Sequence, residues 1–313
     1  MTREPISIVV PVKNRATLVL RTLASIKAQT WRPLKVIVVD NGSTDGTPDS
    51  VKEWAEKNGE EDFGIELLSQ PKPGASAARN MGLEAVDTRL MMFFDSDDLM
   101  KPGHVESIMQ RFHEDDQPDM VFYRLLFHPI NKGERTTKRA GSDLMVSHIC
   151  HGVLCTAAMA LETALARRAG GWDEDLRGWD DLEFGARTLM EARRRAFISP
   201  VNVEVFAQVE SITGTEFSSH RGEWELALDR MEKAFETSRH RRREKWLRVL
   251  SYKRAILAAQ YKREKNEEAA AEMMTRALSN PTLNPIRRLY LKLAYRYTAI
   301  GGRGAAIPLN LIM

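Results

Sequence analysis

KVIVVDNGSTDG, residues 35–46, decides the fold. Val36 to Val39 form an unbroken β-branched run with no polar alternation, which reads as a strand covered on both faces. The run stops at Asp40, and Asn41–Gly42 then signals a tight turn. A buried strand that delivers a carboxylate into a polar loop suits an open α/β sheet, where ligands bind beyond the carboxyl ends of the strands. Working outward, Ile6 to Val10, Ile65 to Leu68 and Arg89 to Phe94 are the other strand candidates. Between them, Leu18, Val19, Leu23 and Ile26 share one helical face, and Val51, Trp54 and Ala55 follow a Thr47–Pro48 helix start. Gly74 to Val86 and Pro102 to Phe112 read as two further helices. The expected fold class is therefore α/β, a mostly parallel sheet flanked by helices.

From Met120 to Gly141 the pattern weakens into an apolar-aromatic run and a basic loop, NKGERTTKR, that resembles a hairpin tip. Helices are expected again at Glu162 to Ala169 and Asp180 to Arg195. After Gly222 the chain is rich in Ala, Leu, Glu, Lys and Arg and reads as helical, which divides it into residues 1–220 and a helical region 221–313. Tyr252 to Pro281 has the spacing of a helical hairpin without a second copy, so no repeat is assigned.

The 46 Lys and Arg against 43 Asp and Glu leave a net charge of +3, which gives no reason to expect a nucleic-acid partner. Two cysteines, Cys150 and Cys155, cannot make a disulfide framework in 313 residues and fit a reducing compartment. The apolar run near the N-terminus is too short for a signal-peptide core. Leu144 to Leu161 is uncharged but carries His148 and His151, so it is read as buried protein and not a membrane span. The same histidines with Cys150 and Cys155 lack the paired spacing of a zinc site and read as core residues. The expected location is the cytoplasm, with peripheral membrane association left open. The basic stretch RHRRREKWLR from Arg239 reads as a solvated helix face.

Four loops carry candidate chemistry. In VVDNGSTDG, Asp40 can accept hydrogen bonds from a base or ribose, and Gly42 lets the backbone approach a flat ring. In FFDSDD, Asp95, Asp97 and Asp98 crowd three carboxylates, which repel unless a cation or donors compensate. Mn²⁺ or Mg²⁺ bridging to a diphosphate meets that need. PKPGASAARN brings Lys72, Arg79 and Asn80 to a helix start suited to an anion. In GGWDEDLRGWDDLEFGART, Asp180 and Asp181 open a helix, where the dipole favours an ionised carboxylate and hence a general base. Each loop has a structural alternative: a plain turn, a helix N-cap, close packing, or an Asp180/Asp181 pairing with Arg187.

In this order SIVVPVKN, VVDNGSTDG, PGASAARNMGL, FFDSDD and GGWDEDLRGWDDLEFGAR resemble the family-2 glycosyltransferases of GT-A fold, over residues 4 to 215. The resemblance implies inverting transfer from a nucleotide sugar, often a UDP-sugar, to an acceptor hydroxyl in polysaccharide or glycoconjugate synthesis, assisted by Mn²⁺ or Mg²⁺. Pro11, Val12 and Asn14 would then border the nucleotide, Asp40 would hold the base, and Arg79 would lie near the donor. Ser43 and Ser96 complete the donor-side set. Asp95 and Asp97 match the metal-binding DxD element. The family's base is the Asp of a Glu-Asp pair, here Asp180–Asp181, so Asp181 inherits the role. Trp172 and Trp179 would wall the acceptor site. Many relatives have a histidine near residues 206 to 214, where this chain has Gln208 and Glu210. The C-terminal helices leave a homo-oligomer or a membrane contact open.

Two rival enzyme classes lack their signatures: PVKNRATL has no glycine for a nucleotidyltransferase phosphate loop, and no G-x-G-x-x-G follows a strand. A catalytically silent sugar-nucleotide-binding scaffold is the remaining alternative.

Overall fold

The computed structural model describes residues 3–130, 133–137, 140–208, 216–302 and 312. Its strands are β1 (Ile6–Val12), β2 (Leu34–Asp40), β3 (Phe63–Ser69), β4 (Leu90–Phe93), β5 (Leu99–Met100), β6 (Met120–Tyr123), β7 (Leu126–His128), β8 (Arg135–Thr136), β9 (Met159–Glu162), β10 (Arg195–Ile198) and β11 (Val203–Phe206). The helices are α1 (Leu18–Lys27), α2 (Thr47–Asn58), α3 (Ala75–Ala85), α4 (His104–Phe112), α5 (Leu144–His151), α6 (Thr163–Arg168), α7 (Asp180–Glu191), α8 (Glu223–Thr237), α9 (Arg243–Arg263), α10 (Glu267–Ser279) and α11 (Pro285–Ala299).

The chain divides into two compact units, residues 1–139 with 153–209, and residues 140–152 with 210–313. In the first, seven strands form one sheet in the order β10-β6-β9-β4-β1-β2-β3. All neighbours run parallel except β9, which is antiparallel to both β4 and β6. The mostly parallel, helix-flanked sheet expected from the β-branched runs is present, and β1 and β2 are buried almost throughout. α1 contributes Val19, Leu23 and Ile26 to the same core. α3 lies so close to the sheet that a Cβ on Gly82 would stand 2.3 Å from Val9 Cγ1.

A second, four-stranded sheet has the order β5-β11-β7-β8. β7 and β8 pair antiparallel around the expected hairpin loop, whose residues 131, 132, 138 and 139 lie outside the described residues.

The second unit is helical. α9 carries α8, α10, α11 and α5 around it. Within it Arg254 is buried and paired with Asp229 at 2.9 Å and Glu232 at 2.6 Å, so the charge taken out of water keeps its partners. Asn266 and Asn284 cap α10 and α11 by accepting from Ala269 N and Arg287 N. His148 is a core residue, as read from the sequence. Among the described residues no helix is long and apolar enough to cross a membrane.

Candidate active site

β4, β1 and β2 are neighbours, so the loops at their carboxyl ends stand side by side. The β1 and β2 loops are tied together: Asn14 N donates to Ser43 Oγ at 2.9 Å, and Thr44 N donates to Asn14 Oδ1 at 2.8 Å. Asn14 adopts a left-handed conformation, φ 51°, which Asn tolerates better than most residues. Pro11 and Val12 are the last residues of β1, buried beside Val39 and Asp40 of β2.

Asp40 is buried. Its Oδ2 accepts from Gly42 N and Ser43 N, both at 3.2 Å, while Oδ1 has no partner among the described residues. A buried carboxylate oxygen without a donor is costly, and a ligand N–H or O–H would relieve it. Asn41, next in sequence, donates to Gln70 O and Lys72 O and accepts from Gly74 N at 2.7 Å. It thereby fixes the loop that leads into α3.

Arg79, on α3, is the centre of the site. Its Nη2 donates to Asp95 Oδ1 at 3.0 Å and its Nη1 to Asp180 Oδ2 at 2.8 Å. The guanidinium carbon lies 4.4 Å from the Trp172 ring centroid. Burial opposes the positive charge, but Asp95 and Asp180 hold it, and the net effect raises the Arg79 pKa above its ordinary value.

The acidic cluster is partly compensated. Asp97 pairs with Arg15 at 3.3 Å, yet burial and the neighbouring Asp95 still push its carboxyl up. Asp98 is pushed well up by burial and by both neighbours, and its Oδ1 accepts from Phe206 N at 3.2 Å. It does not cap α4, whose N-cap is Gly103. Ser96, between Asp95 and Asp97 in the chain, is buried. Carboxylates raised first by burial and then by each other's charge fit a divalent cation, which would relieve the repulsion. Among the described residues no group of three or more His, Cys, Asp or Glu side chains is arranged as a complete protein metal cage. Two carboxylates with ligand phosphates are a normal alternative for Mg²⁺-type ions.

Asp180 and Asp181 open α7 behind Trp179, whose φ of 54° turns the chain into the helix. Burial, then the charge of Asp180, raises the Asp181 carboxyl to about 7, against the opposing Leu182 N–H and Arg79. Asp181 Oδ1 accepts from Leu182 N at 2.7 Å. Arg187 pairs with Glu183 at 2.5 Å and with neither aspartate, which leaves the two carboxylates to Arg79 and the site.

Trp172 differs from its expected place as an acceptor wall. It is 2% exposed, stacked on Phe184 at 4.4 Å and edge-on to Phe93 at 5.2 Å, with Arg79 over its ring. Its apolar face therefore supports the arginine and is closed to a ligand. Trp179 is only partly buried. Gln208 bonds locally to Phe206 O at 3.4 Å, and Glu210 lies outside the described residues.

Sequence reading missed Arg15 and Glu174, and Asn80 and Lys72, read there as anion contacts, are bonded to Glu174 instead. Arg15 follows Asn14 at the β1 carboxyl end, a position that could have marked it as a partner for acidic loops. Asn80 donates to Trp172 O and Glu174 Oε1, each at 2.9 Å, and accepts from Trp172 N at 2.8 Å. Lys72 meets Glu174 at 2.6 Å. Burial and the charges of Asp181, Asp95 and Asp98 raise the Cys155 thiol well above its ordinary range, so it stays neutral.

Residues 7–156 match the model of Glycosyl transferase family 2. Over 111 residues the chain is 34% identical to glycosyltransferase GlyA of Streptococcus pneumoniae serotype 4, covering 36% of this chain and 15% of that protein. The chain spans between 15% and 52% of the length of the curated relatives it matches. Among solved structures, S. aureus TarS 1–349 in complex with UDP-GlcNAc is similar at a TM-score of 0.70 and 16% identity, covering 98% of this chain and 89% of that one. The mannosyltransferase PcManGT from Pyrobaculum calidifontis, in complex with GDP-Man and Mn²⁺, gives 0.57 at 21% identity, covering 96% and 84%. At these identities the likeness establishes the fold, which is GT-A.

Proposed function

We propose that the chain, whose residues 7–156 carry a family-2 glycosyltransferase domain, moves a sugar from a nucleotide-diphosphate donor to an acceptor hydroxyl with inversion. One observation carries the reading: Arg79 joins Asp95, at the carboxyl end of β4, to Asp180, and in the same sheet β2 ends in a buried Asp40 whose Oδ1 lacks a donor among the described residues. Nucleotide complexes of two proteins with the same fold support it. A uracil N3–H is one donor that would satisfy Asp40 Oδ1, which favours a UDP-sugar. Pro11, Val12, Asn14, Ser43 and Ser96 would form the rest of the donor side.

Asp95 and Asp97 would hold Mn²⁺ or Mg²⁺, whose charge stabilises a departing diphosphate when the ion is bound. Arg79 keeps Asp95 and Asp180 in fixed positions. Asp181 takes the proton from the acceptor hydroxyl, and its raised value suits a base that must bind a proton near neutrality. The acceptor oxygen then forms its bond to the anomeric carbon as the bond to the diphosphate oxygen opposite breaks. Trp179 is the remaining aromatic candidate for the acceptor side. The acceptor class is a saccharide or glycoconjugate, and every candidate residue named here lies in the sheet-bearing unit, residues 1–139 with 153–209.

Titration calorimetry with nucleoside diphosphates and nucleotide sugars, with and without Mn²⁺, tests the reading on the wild type and Asp97→Ala. Metal-dependent binding of one nucleotide class, lost in the variant, is expected. Binding of none of them, with or without the metal, overturns the transferase reading.

A further inference from the structure

α11 buries Tyr290, Leu291, Ala294 and Thr298 and packs on α9, with Tyr290 stacked on Tyr252 at 6.3 Å. Away from that contact it presents Ile286, Leu289, Leu293 and Tyr297, with Ile300 at its C-cap, all 43–85% exposed. Spacings of three and four residues align these five in one stripe. Scattered exposed apolar residues are ordinary, but five in register on one helix mark a surface that meets something apolar. Lys292 and Arg296, both exposed and one turn apart, lie beside the stripe. Along the sequence the charge here is of one sign: between Arg276 and Arg296 the charged residues are Arg287, Arg288 and Lys292.

We propose that this face of α11 docks on an anionic lipid bilayer. The apolar stripe enters the boundary between headgroups and acyl chains, and Lys292 and Arg296 meet lipid phosphates. Charge complementarity selects this occupant. A second copy of the same face would set Lys292 and Arg296 against each other's like charges, whereas an anionic bilayer offers acyl chains to the stripe and negative charge to its flank. The helix has 15 residues, short of the roughly 20 that span a bilayer, so it lies along the surface. The docking is independent of the transfer reaction.

Flotation of the full chain tests it, using vesicles of phosphatidylcholine alone and vesicles with about a third phosphatidylglycerol. The wild type is expected to float with the anionic vesicles only. Leu289→Ser/Leu293→Ser and Lys292→Glu/Arg296→Glu should each lower the bound fraction about tenfold. Circular dichroism and an unchanged melting temperature establish that both variants fold, and Ile130→Ser, exposed elsewhere, should bind as the wild type does. A wild type that stays unbound, or variants that bind equally well, overturns the proposal. So does a wild-type dimer by light scattering that the leucine variant makes monomeric, which would assign the stripe to a second copy.

Discussion

Arg79 and Asp180 stand 101 residues apart in the chain, and their Nη1 and Oδ2 atoms are 2.8 Å apart in the fold. That bond joins α3 to α7, and the second arm of the same guanidinium reaches Asp95 beyond β4. One side chain thus sets the spacing between the acidic loop and the proposed base pair. Lysine has a single ammonium and cannot reproduce a planar two-armed bridge. Arg79→Lys is expected to weaken nucleotide-sugar turnover at least tenfold, and Arg79→Ala to cost about 3 kcal/mol by leaving two carboxylates unpaired. Steady-state kinetics and urea unfolding measure the two effects.

Asp181→Asn should lower transfer about 10²- to 10⁴-fold while nucleotide binding by calorimetry stays near the wild-type value. Near-normal transfer by this variant would remove Asp181 from the role of base.

The pH dependence has a defined sign. With its carboxyl raised to about 7, Asp181 is an available base only as pH rises through that value, so the rate should climb between roughly pH 6 and 8. Stability runs the other way. Between the ordinary aspartate value and about 7 the folded chain holds a proton that the unfolded chain has released, so stability falls as pH rises through this window. Chemical denaturation across pH 4 to 8 should show a shallower fall for Asp181→Asn than for the wild type.

Asp40→Asn tests the donor side. The amide oxygen can still accept from Gly42 N and Ser43 N, but the NH₂ would meet a ligand donor with another donor. Nucleotide affinity is expected to fall about tenfold or more with little change in melting temperature.

Gly82→Ala tests the packing beneath the site. The added methyl would press on Val9 Cγ1 and approach Val39 Cγ2 at 3.3 Å, which forces α3 or β1 to move. A loss of about 2 kcal/mol is expected, measured by denaturant unfolding.

Much of this arrangement was legible in the residues. The runs at β1 and β2 are rich in β-branched residues, that at β4 is apolar throughout, and each ends in a loop with its own polar signature. β9 was hidden because Met159 to Glu162 shares one apolar stretch with α5, and a short apolar run carries no periodicity to tell strand from helix. The second sheet is built from strands of two to four residues, below the length at which a pattern shows. The resemblance implies Trp172 on the acceptor side, yet stacking with Phe184 and Arg79 draws it inward. The Arg79 bridge and the Asn41 and Asn80 clamps join positions 16 to 101 residues apart, which no local pattern reveals.

Helix α5 belongs to the same unit as α9, although the chain returns to the sheet between them. During synthesis, Leu144, Met145, Val146 and Ile149 leave the ribosome well before α9 exists to cover α5, on the order of ten seconds earlier at typical elongation rates. The sheet-bearing unit can therefore close around a loop whose apolar residues are still waiting for their cover. A chain cut near residue 220 would never supply it, so a truncation that spares every candidate site residue should still be prone to aggregate.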